Sequence, residues 1–354
     1  MNVEQLSSIV RDPGWVYHRS KINHWGQWFY NVVNGYPFAE LMSLANVVMA
    51  SIERDFLNWL SQRAVVPPEV VVGIGDDAAI VAASPNQQWV VTTDTLAEGT
   101  HFISHLHEWS RIGRKALAVS LSDLAAMGAK PQYALLNLQL PQHVTLAEVQ
   151  QLFTGAEQLA VDFDVTIVGG DTNRWTQGLV VSSTAIGAVA PGKHWPLGGA
   201  QLGDRLFVTG PLGGSILGRH LDFEPRCRLA EYLQSRYNIH AATDISDSLS
   251  IDLSLMAAAS GVGVVLQAEQ IPIAEAAYQL AKTSGLTPLE HALTDGEDFE
   301  LLLCVSPEVA SALHSDASLA NDLFEIGEFI AEQGLFLQAK SGARRILEPR
   351  GYSH

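Results

Sequence analysis

The sequence is poor in cysteine and in charge, above all positive charge. Two cysteines, Cys227 and Cys304, occur in 354 residues. So few, so far apart, build neither a disulfide framework nor a zinc site, and a reducing cytoplasm is the expected setting. Charged residues make up 17%, below the usual share of about a quarter, and the 47% hydrophobic share excludes a disordered chain. Basic residues are the scarcer sign, with 21 Lys+Arg against 38 Asp+Glu and a net charge of −17. That balance argues against nucleic-acid partners, whose phosphates favour a basic surface. There is no apolar run of roughly eighteen residues, so no membrane span is expected. The opening MNVEQLSSIV lacks the basic-then-apolar form of a secretion signal. HExxH and CxxC spacings, a GxxxxGK[ST] loop and a protein-kinase motif set are missing as well.

Residues 1–48 stand apart from the rest. They hold three of the eight tryptophans, Trp15, Trp25 and Trp28, in a stretch with no helical or strand period. They read as an atypical extension: either a start site assigned too far upstream, since Met49 opens the amphipathic MASIERDFLNWLSQ, or an added aromatic recognition segment. From Met49 on, the chain alternates strand and helix patterns. VVVGIG (70–75), AAIVAA (78–83), WVVTTD (89–94), YALLNLQL (133–140), VTIVGGD (165–171) and LVVSSTAIGAV (179–189) read as strands. Residues 111–129 and 146–163 have helical spacing, with Gly128 as a C-terminal cap. The Gly- and Pro-rich APGKHWPLGGAQLGD (190–204) is the expected hinge between a domain over 49–198 and another over 199–354. In the second half, 204–210, 262–267 and 299–305 read as strands. Residues 213–221, 247–260 and 273–284 read as helices. The fold class is therefore α/β, with α+β mixing.

The acids lie at strand ends, beside glycine and hydroxyl residues: Asp76 and Asp77, Asp94, Asp123, Asp171, Asp244 and Asp247, and Glu297 with Asp298. One such acid is an ordinary turn or cap residue. So many, in a chain with so little charge, point to a site built on strand-end loops. Carboxylates and hydroxyls with few histidines suit a hard cation such as Mg²⁺. Magnesium beside glycine-rich turns points to phosphate chemistry, which needs mainly positioning and charge stabilisation.

GIGDDAAIV (73–81), TTDTLAEGTHF (92–102), KALAVSLSDLAAMGAKP (115–131), GGDTNR (169–174), GDRLFVTGPLG (203–213), DISDSLSIDL (244–253) and GEDFEL (296–301) occur in that order. Together they resemble the thiamine-monophosphate kinase family, of the superfamily of aminoimidazole ribonucleotide synthetase and selenophosphate synthetase. The resemblance spans about 49–352. It implies a two-domain aminoimidazole-ribonucleotide-synthetase-like fold and a homodimer with N-terminal sheets paired across it. It also implies direct ATP-dependent phosphorylation of thiamine monophosphate to thiamine diphosphate, the last step of thiamine diphosphate biosynthesis, with several Mg²⁺ ions and K⁺ as an open requirement. By position, Asp77, Thr92, Thr93, Asp94, Asp123, Asp171, Asp244 and Asp247 fall on the metal-binding set. Gly170, Asp171 and Ser246 fall where the family contacts ATP, and His101, Glu297 and Tyr352 where it touches the substrate. The acceptor oxygen is already anionic, so no covalent nucleophile or general base is expected.

The chain departs from the family pattern at Ser248, where glycine is usual and a positive φ would strain a serine. It departs again at Asp295, which replaces a glycine and would add charge on the substrate side, and at Leu197, where an arginine is common. The competing reading is a non-catalytic or sister-activity Mg–ATP-binding member of the same superfamily. Both cysteines read as buried structural residues.

Overall fold

In the computed structural model the described residues are 86–351, Trp59, and the backbones of β1 (Val70–Val72) and β2 (Ile80–Val81), which pair antiparallel. They belong to one unit, 56–354. The segment 1–48, Asp77 and Tyr352 lie outside the described residues.

A four-stranded sheet comes first. Its strands are β3 (Gln88–Ala97), β4 (Lys130–Pro141), β5 (Thr166–Trp175) and β6 (Val180–Val189), in the order β3-β6-β4-β5. Strands β4 and β5 run parallel, and the connection between them is helix α2 (Leu146–Asp162), as a parallel crossover requires. Thr145 and Glu148 close a reciprocal capping box at its start. Helix α1 (Trp109–Ala126) joins β3 to β4 and is buried on nearly every side. Its ending agrees with expectation, since Gly128 follows the last turn at φ +65°. Alternation along β3 sends Val90, Thr92, Asp94 and Leu96 inward and leaves Trp89, Val91, Thr93 and Thr95 exposed.

The two helices touch backbone to backbone. A Cβ on Gly113 of α1 would lie 1.8 Å from the Leu152 carbonyl oxygen, and one on Gly155 of α2 would lie 1.8 Å from that of Ser110. Both glycines sit inside helices, where alanine is intrinsically preferred. Close approach, not propensity, explains them.

The second half is a seven-stranded mixed sheet. Its strands are β7 (Arg205–Val208), β8 (Ala241–Asp244), β9 (Gly263–Gln267), β10 (Leu301–Val305), β11 (Phe324–Ile330), β12 (Leu335–Gln338) and β13 (Arg344–Ile346). The spatial order is β13-β12-β9-β11-β7-β10-β8. Its helices are α3 (Arg219–Asp222), α4 (Cys227–Gln234), α5 (Leu249–Ser260), α6 (Glu275–Ser284), α7 (Pro288–Thr294) and α8 (Pro307–Ser315). Strand β10 is buried on both faces, which is why it reads as an unbroken apolar run. Leu301, Leu303 and Val305 join the core shared with α1 and α2, while Leu302 and Cys304 join a second core with α5 and α7.

One helix expectation fails. Residues 213–221 form a 3-10 turn (Ser215–Leu217) followed by the short α3, because Gly214 (φ +78°) and Gly218 (φ +129°) interrupt any continuous helix. The 190–204 stretch is irregular, but its Trp195 is buried. The Trp195 N–H donates to the Met127 carbonyl at 3.1 Å, and its indole Nε1 donates to Gln234 at 2.9 Å. Both cysteines are buried, and burial pushes both thiols up, as befits structural residues. Among the described residues no helix is long and apolar enough to cross a membrane.

Gly113→Ala and Gly155→Ala should each destabilise the protein in chemical denaturation, by about 1–3 kcal/mol for an overpacked core. An isolated helix would respond in the opposite direction.

Candidate active site

Helix α1 brings three carboxylates to one place. Ser120 and Asp123, three residues apart, share one side of the helix toward β3. The Ser120 hydroxyl donates to Asp94 Oδ2 at 2.6 Å, and the Thr92 hydroxyl donates to Asp123. The Ser122 hydroxyl donates to Asp244 Oδ2 at 2.6 Å, reaching from the first half of the chain to the end of β8 in the second. Burial raises the Asp123 carboxyl well above the usual carboxylate range, and the Asp244 and Asp94 charges add to it. Burial likewise raises Asp244, with Asp252 and Asp94 adding, and it raises Asp94. Among the described residues no salt bridge to Lys or Arg relieves these three.

The donor set is all oxygen, which fits Mg²⁺. No group of three or more His, Cys, Asp or Glu among the described residues is gathered tightly enough to form a finished cage. Magnesium is ordinarily held by one or two carboxylates with substrate phosphates and water completing the shell, so an open arrangement suits it.

The loop after β8 forms the next wall. The backbone N–H groups of Asp247 and Ser248 each donate to Asp252 at 3.1 Å. Asp252, mainly through burial, is pushed up to about 7. Sequence reasoning passed it over, although its place four residues after Ser248 in DSLSIDL is a local helix-start signal. Ser248 does not meet the condition under which a serine would be strained. Its φ of 166° is extended backbone, and its side chain caps α5 by accepting from Ile251 N–H at 3.1 Å. The Ser248 and Ser250 hydroxyls both donate to the Arg350 carbonyl at 2.8 Å, which ties the C-terminal segment here. A Cβ on Gly351 would lie 2.5 Å from the Asp247 carbonyl, so the segment runs flush against the loop. Ser246 is exposed at the loop's tip.

The GEDFE turn lies across that loop. Glu297 N–H donates to the Ser246 carbonyl at 2.7 Å, and Phe299 N–H to that of Ile245 at 2.8 Å. Glu297 and Phe299 both have positive φ, +58° and +51°. Asp295 is tied into its own turn. It accepts from Gly214 N–H at 2.7 Å and meets His291 Nδ1 at 3.0 Å. Asp298 takes Gly213 N–H at 3.0 Å, and burial pushes it up to about 8. Glu300 is fully buried between Arg226, Arg219 and Thr209.

Lys115 was not among the expected site residues. Its Nζ donates to Glu297 Oε1 at 2.6 Å and to the His101 carbonyl at 2.9 Å, so it joins two of the expected substrate residues. His101 Nδ1 accepts from Ala97 N–H at 3.1 Å. The remaining expected residues lie elsewhere. Thr93 is on the exposed face of β3, donating to the Ser183 carbonyl at 2.9 Å. Asp94, Ser183, Leu136 and Gly170 form one row across the sheet, which places Gly170 three strands from Asp94, about 14 Å away. Asp171, next to it, is exposed and accepts from Asn173. A Cβ on Gly170 would sit 1.8 Å from the Leu136 carbonyl, which explains that glycine.

The two α/β halves that meet along this line of acids are those of the class of AIR synthase related proteins. That family's N-terminal domain matches residues 75–189 and its C-terminal domain residues 197–340. Within this class, a thiamine-monophosphate kinase from Rhodopirellula baltica is 42% identical over 309 residues, covering 85% of this chain and 97% of the relative. The crystal structure of thiamine-monophosphate kinase from Stenotrophomonas maltophilia K279a matches with a TM-score of 0.69 and 34% identity, over 80% of this chain and 94% of that one. A solved structure of AaThiL complexed with AMPPCP and TMP matches at a TM-score of 0.67 and 26% identity, over 91% and 99% of the two chains. The chain belongs to the thiamine-monophosphate kinase family.

Two outcomes test this local chemistry. Ser248→Gly should lower thermal stability, costing about 0.5 kcal/mol or more through the lost cap and the lost tether, instead of relieving strain. Asp298 binds its proton in the folded protein at pH values where the unfolded chain has released it, so its contribution to stability falls as pH rises from 5 toward 8. The difference in Tm between Asp298→Asn and the wild-type protein should therefore move in favour of the variant over that range.

Proposed function

We propose that this chain is an enzyme that phosphorylates thiamine monophosphate with ATP, giving thiamine diphosphate by direct transfer. The observation that carries the reading is the meeting of Thr92, Asp94, Asp123 and Asp244 at the junction of the two halves. It occurs in a chain that aligns with 97% of a thiamine-monophosphate kinase. The two ligands of the AaThiL complex, AMPPCP and TMP, fit this pairing of an ATP-type nucleotide with a thiamine phosphate.

Asp94, Asp123, Asp244 and Thr92 would hold Mg²⁺, with Asp77, Thr93, Asp171 and Asp247 as the further ligands of the reading. Mg²⁺ held there would supply the charge neutralisation that phosphoryl transfer between two anionic phosphates needs. The serines on α1 fix the carboxylate rotamers in advance, so little reorganisation is needed when substrates arrive. Gly170 lets β5 lie close beside β4, and with Asp171 and Ser246 it would contact ATP. Glu297 and His101, with Tyr352, would form the substrate side. An aromatic can stack on the cationic thiazolium, and a carboxylate can offset its charge. The acceptor phosphate oxygen needs no base to ionise it.

A homodimer completes the reading. The outward face of the four-stranded sheet carries Trp89 and Val91 beside Tyr133 and Ile186, and Thr93 lies on the same face. A second copy would cover this apolar area and bring the residues on it against a partner sheet. The expected location is the cytoplasm, and K⁺ is a candidate co-requirement.

Purified protein incubated with Mg–ATP and thiamine monophosphate should form thiamine diphosphate, dependent on both substrates. EDTA should abolish the reaction, Zn²⁺ should not restore it, and absence of product would overturn the reading. Asp123→Asn and Asp244→Asn should each cut kcat by about a thousandfold. Because like-charged buried carboxylates repel, neither variant should lower Tm. Near-normal turnover in either would remove that residue from the metal set.

A further inference from the structure

Lys115 is the one lysine or arginine among the described residues with a fully buried side chain. It sits in the apolar stretch KALAVSL of α1, where a methionine of similar length would pack without the cost of desolvating an ammonium. Burial lowers its affinity for a proton, and the Glu297 carboxylate opposes that. Both of its acceptors belong to elements read as substrate-side: the His101 carbonyl in the turn after β3, and Glu297 Oε1 in the GEDFE turn. These turns come from different halves of the chain, and the ammonium joins them. Glu297 is held in a left-handed backbone conformation, its N–H is tied to Ser246, and its side chain is still 27% accessible beside Lys115. A carboxylate held this firmly and left partly open is suited to meeting a ligand in one orientation.

We propose that Lys115 is a positioning residue for recognition of the thiamine phosphate: its buried ammonium fixes the Glu297 carboxylate and the His101 turn as one preorganised wall. The proposal rests on the reading of Glu297 as substrate-side. Lys115 itself is sealed from solvent, so it acts through Glu297 and takes no part in the transfer. Its loss would leave Glu297 free to rotate toward water, at a cost paid mainly in binding of the thiamine substrate and little in binding of ATP.

A double-mutant cycle in the full-length protein tests this, reading KM for thiamine monophosphate, KM for ATP, kcat and Tm. Lys115→Met and Glu297→Gln should each raise KM for thiamine monophosphate about tenfold, about 1.4 kcal/mol, with KM for ATP changed less than about twofold. The double variant should be no worse than the worse single variant, because both remove one interaction. Additive effects would overturn the proposal by showing that Lys115 acts independently of Glu297. It would also fall if Lys115→Met lowered Tm and left KM for thiamine monophosphate unchanged while Glu297→Gln raised it. Lys115 would then be structural only. If Glu297→Gln itself left KM for thiamine monophosphate unchanged, the substrate-side reading of Glu297 would fall, and the proposal with it. Should Lys115→Met fail to fold, Lys115→Gln keeps an N–H donor without the charge and replaces it in the cycle, with the same outcomes.

Discussion

A helix buried on nearly every side must find a partner for each polar side chain it carries, and α1 carries four that matter. Ser120 goes to Asp94 on β3, Ser122 to Asp244 on β8, Asp123 takes the Thr92 hydroxyl, and Lys115 takes Glu297 and the His101 carbonyl. The partners come from β3, the turn after it, the end of β8 and the GEDFE turn. Satisfying the helix therefore assembles the site, and no buried side-chain nitrogen or oxygen among the described residues is left without a partner. The depth of the helix is set by the glycine contacts with α2, where neither backbone can yield to a methyl group. A shift of α1 would disturb the contacts of all four side chains together, which couples core packing directly to site geometry.

The buried acids fall into two kinds, and their partners tell them apart. Glu300 is surrounded by two guanidinium groups and a threonine hydroxyl, so its charge is neutralised within the fold. Asp94, Asp123 and Asp244 receive hydroxyl hydrogen bonds, which orient a carboxylate without cancelling its charge. An ion pair is the economical way to bury an acid for stability alone. Oriented but uncompensated carboxylates instead suit a site whose counter-charge arrives with an anionic nucleotide, because the cation then meets strong and already aligned ligands.

Much of this was legible in the sequence, for reasons that can be traced residue by residue. Strands β3 and β6 announce themselves through β-branched runs, and α2 through a capping box. The line of strand-end acids was visible because charge is scarce elsewhere. Strand β8 was not, since AATD is four residues long and is defined by its pairing with β10 instead of any pattern of its own. Helices α7 and α8 carried readable signals, Thr287-Pro288 with Glu290 and Ser306-Pro307, that went unused. Lys115 opens the KALAVSLSDLAAMGAKP motif, yet a lone lysine on a helix ordinarily extends its amine to water. Only the fold shows that no water-facing side was left for it.

The family departures show how a local exchange is absorbed. A glycine position tolerates serine when the backbone there is extended, and Ser248 at φ 166° meets that condition. The added hydroxyl then caps α5 and, with Ser250, holds the carbonyl of Arg350, while Gly351 allows the C-terminal segment to lie flush on the same loop. Asp295 follows the same logic, since its carboxylate takes the Gly214 N–H and the His291 ring at the turn that carries Glu297. In both places the polar group is fastened locally, the Ser248 hydroxyl by backbone groups and the Asp295 carboxylate by the Gly214 N–H and the His291 ring. Side chains of this kind fasten the walls of the site, while the Thr92 and Ser122 hydroxyls orient the Asp123 and Asp244 carboxylates within it.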